Sequence, residues 1–470
     1  MITVTTRSGF ALSHDRLDAH FFTAPGVAAS EQLAVLEASG VEVGRLGELA
    51  AVWDPPRFAR VYAAPAEPGV PYLRPYDVFD YLPDASDRLA TLRNQDIDRL
   101  TIAHGDLLQT CSGRNLGPVT IADETMAGIA LSHDMIRISA REPATRAFLL
   151  AYLKSNIGQA LLRRGRSGSV VDHITVPDVA SLPVAVPSGG LFDDIVAHAK
   201  LSMEEASIAR QALRRLVTKY ARADESGPLE GVTDVTGEVV TASAAREGRN
   251  ARGTCWSVRA SALPERLDAG YYAPKVEAAR RRAVSDGARL GDLASAHLPV
   301  RYKRYYVEAE HGRPILSGRQ LLQYEPVNLR YVSDRSFKDP ALYELAEGMT
   351  VFGAVGRAEG KQGAPALITP ERSAWLASND VMRLRPRAGV DAAGLWLAVA
   401  SAEARLQLNA LSFGSVVDHM NPGDVENIWV PQVDPADAVS AKDAWLRFSN
   451  AAVEMEHAVA LLETFISPGT

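Results

Sequence analysis

Six residues occur twice in this chain in the same order, as Gly168-Ser169-Val170-Val171-Asp172-His173 and, 246 positions later, as Gly414-Ser415-Val416-Val417-Asp418-His419. The string has company. Well upstream of each copy, Arg16-Leu17-Asp18-Ala19 followed by Phe21-Phe22 is matched by Arg266-Leu267-Asp268-Ala269 followed by Tyr271-Tyr272, at an offset of 250. Between these landmarks Leu46-Gly47-Glu48-Leu49-Ala50 matches Leu290-Gly291-Asp292-Leu293-Ala294, and Arg57-Phe58-Ala59-Arg60 matches Arg301-Tyr302-Lys303-Arg304. Solenoid repeats have periods of roughly 20 to 50 residues. A period several times longer requires each copy to bury a core of its own, so the 470 residues divide into two similar domains.

Each copy opens on a β-rich body broken by Pro and Gly and continues into a helical stretch, residues 145–164 and 393–411, that precedes the shared string. After the string, Leu182-Pro183-Val184-Ala185-Val186-Pro187 and Ile428-Trp429-Val430-Pro431 read as edge strands closed by proline. A long helix follows in each copy. Its apolar residues step alternately by four and three, through Phe192, Ile195, Ala199, Ser202, Ala206, Ala209, Leu213, Leu216 and Tyr220, and through Ala438, Ala441, Trp445, Phe448, Ala452, Met455, Val459, Leu462 and Ile466. A helix of about 30 residues is about 45 Å long, and a stripe of that length needs covering. The sequence therefore predicts an α+β fold with an internal duplication: domain 1 (1–190), spacer helix 1 (191–222), a flexible Gly-, Ser- and Thr-rich connector (223–253), domain 2 (254–435) and spacer helix 2 (436–466), the helices pairing as an antiparallel coiled coil.

Composition excludes several classes. With 47% hydrophobic and 23% charged residues the chain is globular. It has no apolar run of roughly 18 residues and its first residues do not resemble a signal peptide, so a cytoplasmic location without membrane contact is expected. Cys111 and Cys255 lack partners at zinc-ligand spacing and read as structural thiols, with no metal site. Asp54-Pro55-Pro56-Arg57 approaches an amino-methyltransferase motif but has Arg where a ring must stack on the flipped base. The run from Gly356 to Gln362 lacks the spacing and the Ser or Thr of a phosphate loop. Asp172-His173 and Asp418-His419 are adjacent pairs, which a strand turns to opposite faces, and no nucleophile recurs beside them. No catalytic residue and no cofactor is assigned.

The net charge of −7 means that nucleic acid, if bound, is held by local clusters or together with a partner. Arg163, Arg164 and Arg166 adjoin Ser167 and Ser169, small residues that allow close approach to phosphate. The second copy offers Ser412 and Ser415 at the corresponding place, without arginines. Arg57 with Arg60, and Arg301 with Lys303 and Arg304, form two further clusters; three residues apart, Arg57 and Arg60 reach one face only from a loop or bulge. Arg114 and Arg357 follow Gly113 and Gly356, with Lys361 nearby, and an arginine fork suits the two acceptors of guanine.

Body, repeated string, Asp-Val step, proline-closed strand and long helix, all present twice, resemble the specificity subunit of type I restriction-modification systems over nearly the whole chain. The resemblance implies that each copy is a target-recognition domain reading half of a split double-stranded DNA sequence. It also implies that the helices space the halves and dock DNA adenine methyltransferase subunits, which carry S-adenosylmethionine, through Ile195, Leu213, Leu216, Tyr220, Trp445, Phe448, Met455 and Leu462. A spacer of about 45 Å is on the scale of one DNA turn, about 34 Å. The acidic charge and the connector depart from the family pattern and leave room for a related phage-defence methyltransferase complex with a restriction or other defence effector. Two other classes stay open: a duplicated protein-interaction scaffold of a phage-defence complex, favoured by the acidic charge, and an autonomous DNA-modifying enzyme, which would bind S-adenosylmethionine or metal itself.

Overall fold

A computed structural model describes residues 21–22, 25–64, 67–94, 96–113, 115–166, 172–221, 233–238, 252–257, 269–356, 361–412 and 418–467. The chain forms two compact units: Met1–Gln211 with Gln323–Asn328 and Arg447–Thr470, and Ala212–Leu322 with Leu329–Leu446. Among the described residues no helix is long and apolar enough to cross a membrane.

Unit 1 begins with α1 (Pro25–Ala38) and strands β1 (Glu42–Arg45), β2 (Ala51–Trp53), β3 (Gly69–Leu73), β4 (Arg88–Ala90), β5 (Leu107–Thr110), β6 (Val119–Ile121), β7 (Ala130–Leu131) and β8 (Met135–Ser139). Helices α2 (Pro143–Lys154) and α3 (Asn156–Arg164), strand β9 (Pro183–Val186) and the long α4 (Gly190–Lys219) follow. One sheet has the order β2-β8-β5-β6, a second β4-β3-β7, and β1 pairs with β9 so that Glu42 faces Val186. Pro183 lies in this two-stranded ladder, where every strand is an edge and a missing N–H is tolerated. The stretch predicted as one helix is two, because the buried Ser155 hydroxyl accepts from Gly158 N at 3.1 Å and donates to Tyr152 O at 2.7 Å, capping α3 just where α2 stops. Almost every residue from Ala147 to Leu153 is buried between sheet and helices.

Unit 2 contains β10 (Thr233–Glu238) and β11 (Arg252–Ser257), then α5 (Pro274–Asp286), β12 (Ala288–Arg289), β13 (Ala294–His297), β14 (Tyr306–Val307), β15 (Arg313–Leu316), β16 (Arg330–Val332), β17 (Thr350–Gly353), β18 (Val355–Gly356), β19 (Ala366–Leu367), β20 (Leu376–Ala377) and β21 (Val381–Pro386). It closes with α6 (Ala392–Ala400), α7 (Ala402–Ala410), β22 (Asp418–His419), β23 (Trp429–Val430) and the start of α8 (Pro435–Ile466). The sheet order β13-β21-β17-β19 joins strands at the same places along the chain as β2-β8-β5-β6 does, and β14-β16-β15-β20 contains the counterpart of β4-β3-β7. Ser401 repeats the cap of Ser155, accepting from Ala404 N at 3.2 Å. Across the stretch expected as a connector and the residues just after it, β10 and β11 pair antiparallel, Thr233 opposite Ser257.

The long helices contribute to both units. In unit 1 the first part of α4 runs antiparallel to the last part of α8: His198 meets Glu454, the Ser202 hydroxyl donates to Ala451 O at 2.6 Å, and Arg447 pairs with Glu205 at 2.8 Å. In unit 2 Lys219 and Tyr220 both bond Asp437, at 2.7 and 2.8 Å. Ile195, Leu213, Leu216, Tyr220, Trp445, Phe448, Met455 and Leu462, the residues expected to dock a partner, are buried within the chain at 0–8% exposure.

Candidate nucleic-acid interface

In unit 1, strand β2 stops at Trp53 and the prolines at 55 and 56, which have no N–H to donate, pass the chain into an irregular segment that carries Arg57 and Arg60. The loop required to aim both is therefore present. Arg60 Nη2 donates to Asp134 Oδ2 at 2.7 Å and to Ser132 Oγ at 3.1 Å. Ser132 Oγ in turn donates to Asp134 Oδ2 at 3.0 Å and accepts from Asp134 N at 3.2 Å, a turn that fixes the acceptor before the arginine arrives. Arg57, Phe58, Arg60, Ser112, His133, Asp134 and His173 line an open cleft of about 510 Å³. His173 reaches it because the end of the repeated string pairs with the repeated Gly-Arg phrase: Ser112 bridges His173, and Gly113 N donates to Asp172 O at 3.0 Å. Behind this seam Cys111 is buried, and its thiol is pushed up to about 12, first by burial and then by the charges of Asp134 and Asp54.

Unit 2 builds the same arrangement with different residues. Arg304 Nη2 donates to Ser378 Oγ at 2.8 Å and Asn379 Oδ1 at 2.7 Å, and Ser378 Oγ donates to Asp380 Oδ2 at 3.2 Å. Val355 pairs with His419 and Gly356 with Asp418. Gly113 at φ +90° and Gly356 at φ +153° adopt backbone conformations that favour glycine, which explains why each phrase carries one before its arginine. A cleft of about 420 Å³ opens here. Among the described residues its wall carries four cations, Arg304, Arg319, Arg330 and Lys361, and one acid, Asp380. The Arg330 guanidinium lies 4.0 Å over the Tyr306 ring, and beside it Arg301, Lys303, Tyr305 and Tyr306 are exposed. Basic side chains on such a surface can meet phosphate and base edges.

Each unit also buries an arginine on its four-stranded sheet. Arg137 on β8 and Arg383 on β21 are fully buried, and burial pushes both down to about 10. Arg137 donates to Leu100 O at 2.6 Å under the Trp53 ring, and Arg383 to Ala377 O at 2.8 Å and Tyr343 O at 3.1 Å. Each guanidinium thereby ties a strand of the four-stranded sheet to backbone outside that sheet.

No protein-family model and no curated protein matches the chain. Solved structures do. The S subunit of a type I restriction-modification system from M. genitalium aligns over 90% of this chain and 94% of its own, at 12% identity and TM-score 0.32. The HsdS subunit from Thermoanaerobacter tengcongensis aligns over 90% and 96%, at 14% identity and TM-score 0.27. A chain from a structure of complex assembly and conformational transition in the type I R-M system aligns over 90% and 97%, at 14% and 0.27. The first two neighbours are named as type I S (HsdS) subunits, and the third comes from a type I R-M system.

The residues that a specificity-subunit reading assigns to DNA fall into three groups. Arg57, Arg60, Arg304 and Lys361 line the two clefts, and Arg301 and Lys303 stand exposed on the loop leading to the second. Arg163, Arg164 and Arg166 diverge: Arg163 bonds Gln159 at 3.2 Å, Arg166 lies 3.8 Å from Asp172, and Arg164 turns inward to Phe21 O at 3.1 Å and Ser30 Oγ at 2.8 Å, over the Phe21 ring. Ser412 donates to Gln362 Oε1 at 3.2 Å. Arg114, Ser167, Ser169, Arg357 and Ser415 lie outside the described residues. Arg319, Arg330 and Tyr306 were not found from sequence. They are not adjacent in the sequence; the β14-β16-β15 pairing brings Tyr306 and Arg330 together, and Arg319 follows β15.

Proposed function

We propose that the chain is a non-catalytic DNA-recognition subunit that reads a bipartite double-stranded target, one half through each copy (residues 1–190 and 254–435), and directs adenine methyltransferase subunits to it. One observation carries the reading. A loop arginine locked onto a Ser-x-Asp turn, at the mouth of a cleft where the repeated string pairs with the repeated Gly-containing phrase, occurs in both units with different lining residues. A shared frame with divergent walls is what two readers of different half-sites require. Held by their own turns, Arg60 and Arg304 shape the clefts, while Arg57, Arg301, Lys303, Arg319, Arg330 and Lys361 supply contacts to phosphate and base edges. S-adenosylmethionine belongs to the methyltransferase subunit in this reading, and a restriction or other defence effector joins through the complex.

The methyltransferase docks on exposed apolar positions of the long helices, taken in each unit by itself. Val439, Leu446 and Val453 on α8 are 69%, 38% and 36% exposed and stand seven residues apart; Leu201 and Ile208 on α4, also seven apart, are 44% and 39% exposed. A heptad-spaced apolar stripe left outside the chain's own helix pairing suits a partner helix or groove.

The DNA contacts are tested by salt titration of the assembled complex. Each lost phosphate contact lowers the slope of log affinity against log salt by about one. Arg301→Ala with Lys303→Ala, both at exposed positions, should therefore lower it by about two without disturbing assembly. Lys275→Ala with Lys338→Ala, also exposed, should leave it unchanged. Equal effects from the two double variants would contradict the assignment.

A further inference from the structure

Three metal-ligating side chains converge in unit 1 far from either cleft in sequence. His198 projects from α4, and Glu454 and His457 from α8, where a spacing of three residues puts them on one helix face. His198 Nδ1 stands 2.6 Å from Glu454 Oε2, and the two imidazole rings lie 5.5 Å apart at 77°. One ligand atom from each of the three residues lies within 4.8 Å of the others. Zinc bonds of about 2.0–2.1 Å in a tetrahedron place donors about 3.3 Å apart, so small side-chain rotations close the site. His198 and Glu454 are half-buried and His457 is exposed, which leaves a path for an ion to enter.

We propose that His198, Glu454 and His457 bind a divalent transition-metal ion, zinc by the chemistry of the donor set, as a clasp between the two long helices. Two imidazoles and a carboxylate suit zinc better than the all-oxygen cations, and water completes the fourth position. An ordinary histidine-carboxylate pair accounts for His198 and Glu454. It has no use for His457, and this distinguishes the two explanations.

The test uses the full-length untagged chain, stripped with EDTA and titrated with zinc chloride in a calorimeter, with unfolding temperature followed in parallel. One zinc per chain is expected, together with an unfolding temperature several degrees higher than in EDTA. His457→Ala changes an exposed helix position to a residue that favours helix and leaves the His198–Glu454 contact in place. It should weaken zinc binding at least about 100-fold, the upper end of what disturbing a mere supporting contact does, with the unfolding temperature in EDTA unchanged. Glu454→Gln, which keeps the shape of the side chain, should weaken binding comparably. Absence of zinc binding by the wild-type chain, or binding that both variants retain, overturns the proposal.

Discussion

Replacing Arg210 with Ala is expected to destabilise unit 1 by about 3–5 kcal/mol, the range for breaking a buried ion pair from one side. Arg210 on α4 bonds the Asp123 carboxylate, with side-chain exposures of 5% and 6%, donates through Nε to Tyr81 O at 3.1 Å, and lies over the Phe448 ring at 5.7 Å. Burial by itself would raise the Asp123 carboxyl, but the Arg210 charge and the bonds from Thr125 and Arg210 hold it below its ordinary value. In the wild type this pair contributes stability above the unfolded carboxylate value of about 3.9, and the contribution is lost as pH falls through the lower folded value. The variant behaves in the opposite sense. Its Asp123 is buried without a counter-charge, prefers a proton, and regains stability as the solution is acidified. Chemical denaturation at about pH 7 and about pH 4.5 should show the variant's deficit shrinking at the lower pH, and Arg210→Met with Asp123→Leu should recover most of it. A deficit below about 1 kcal/mol, within the ordinary range for one hydrogen bond, would contradict this account of how α4 is fixed to the body.

Leu446→Asp and Val453→Asp should release the methyltransferase subunit while leaving the chain folded. Both positions are more than one-third exposed, so the substitutions should cost the isolated chain no more than about 0.5 kcal/mol. A charge buried without a partner in an interface costs several times that, and a loss of only 1.4 kcal/mol is already about tenfold in affinity. Leu213→Asp provides the contrast, since Leu213 is fully buried within the chain and its replacement should lower the unfolding temperature. Size-exclusion chromatography with the partner, read beside unfolding temperatures, separates the two. Normal assembly by both surface variants would move the docking face elsewhere.

The duplication, the β-rich bodies and the long helices were legible because each leaves a local or periodic trace in the sequence. The helix seams were legible as apolar stripes but not as to what covers them. A stripe through Leu213 or Leu462 looks the same whether its partner is another helix of this chain or another protein; both residues are buried within the chain. The outer stripe at Val439, Leu446 and Val453 was hidden among alanines of the same helix. Ser155 and Ser401 divide helices that the apolar pattern alone runs together. In the clefts, Arg60 and Arg304 stood out as charges beside repeated landmarks, but their Ser-x-Asp acceptors are more than 70 residues away. Arg319 and Arg330 reach one wall only through strand pairing. Arg137 and Arg383 sit among apolar neighbours in their strands, a pattern that an exposed edge residue would produce equally well, and only the structure shows them buried on backbone carbonyls.

The central claim is that two similar readers on one chain each select half of a DNA target. The most direct measurement is selection of bound sequences from a randomised double-stranded DNA pool by the assembled complex, followed by sequencing. Two specified half-sites separated by a run of unspecified base pairs of fixed length are predicted. Enrichment of a single uninterrupted motif, or of none, would contradict the account.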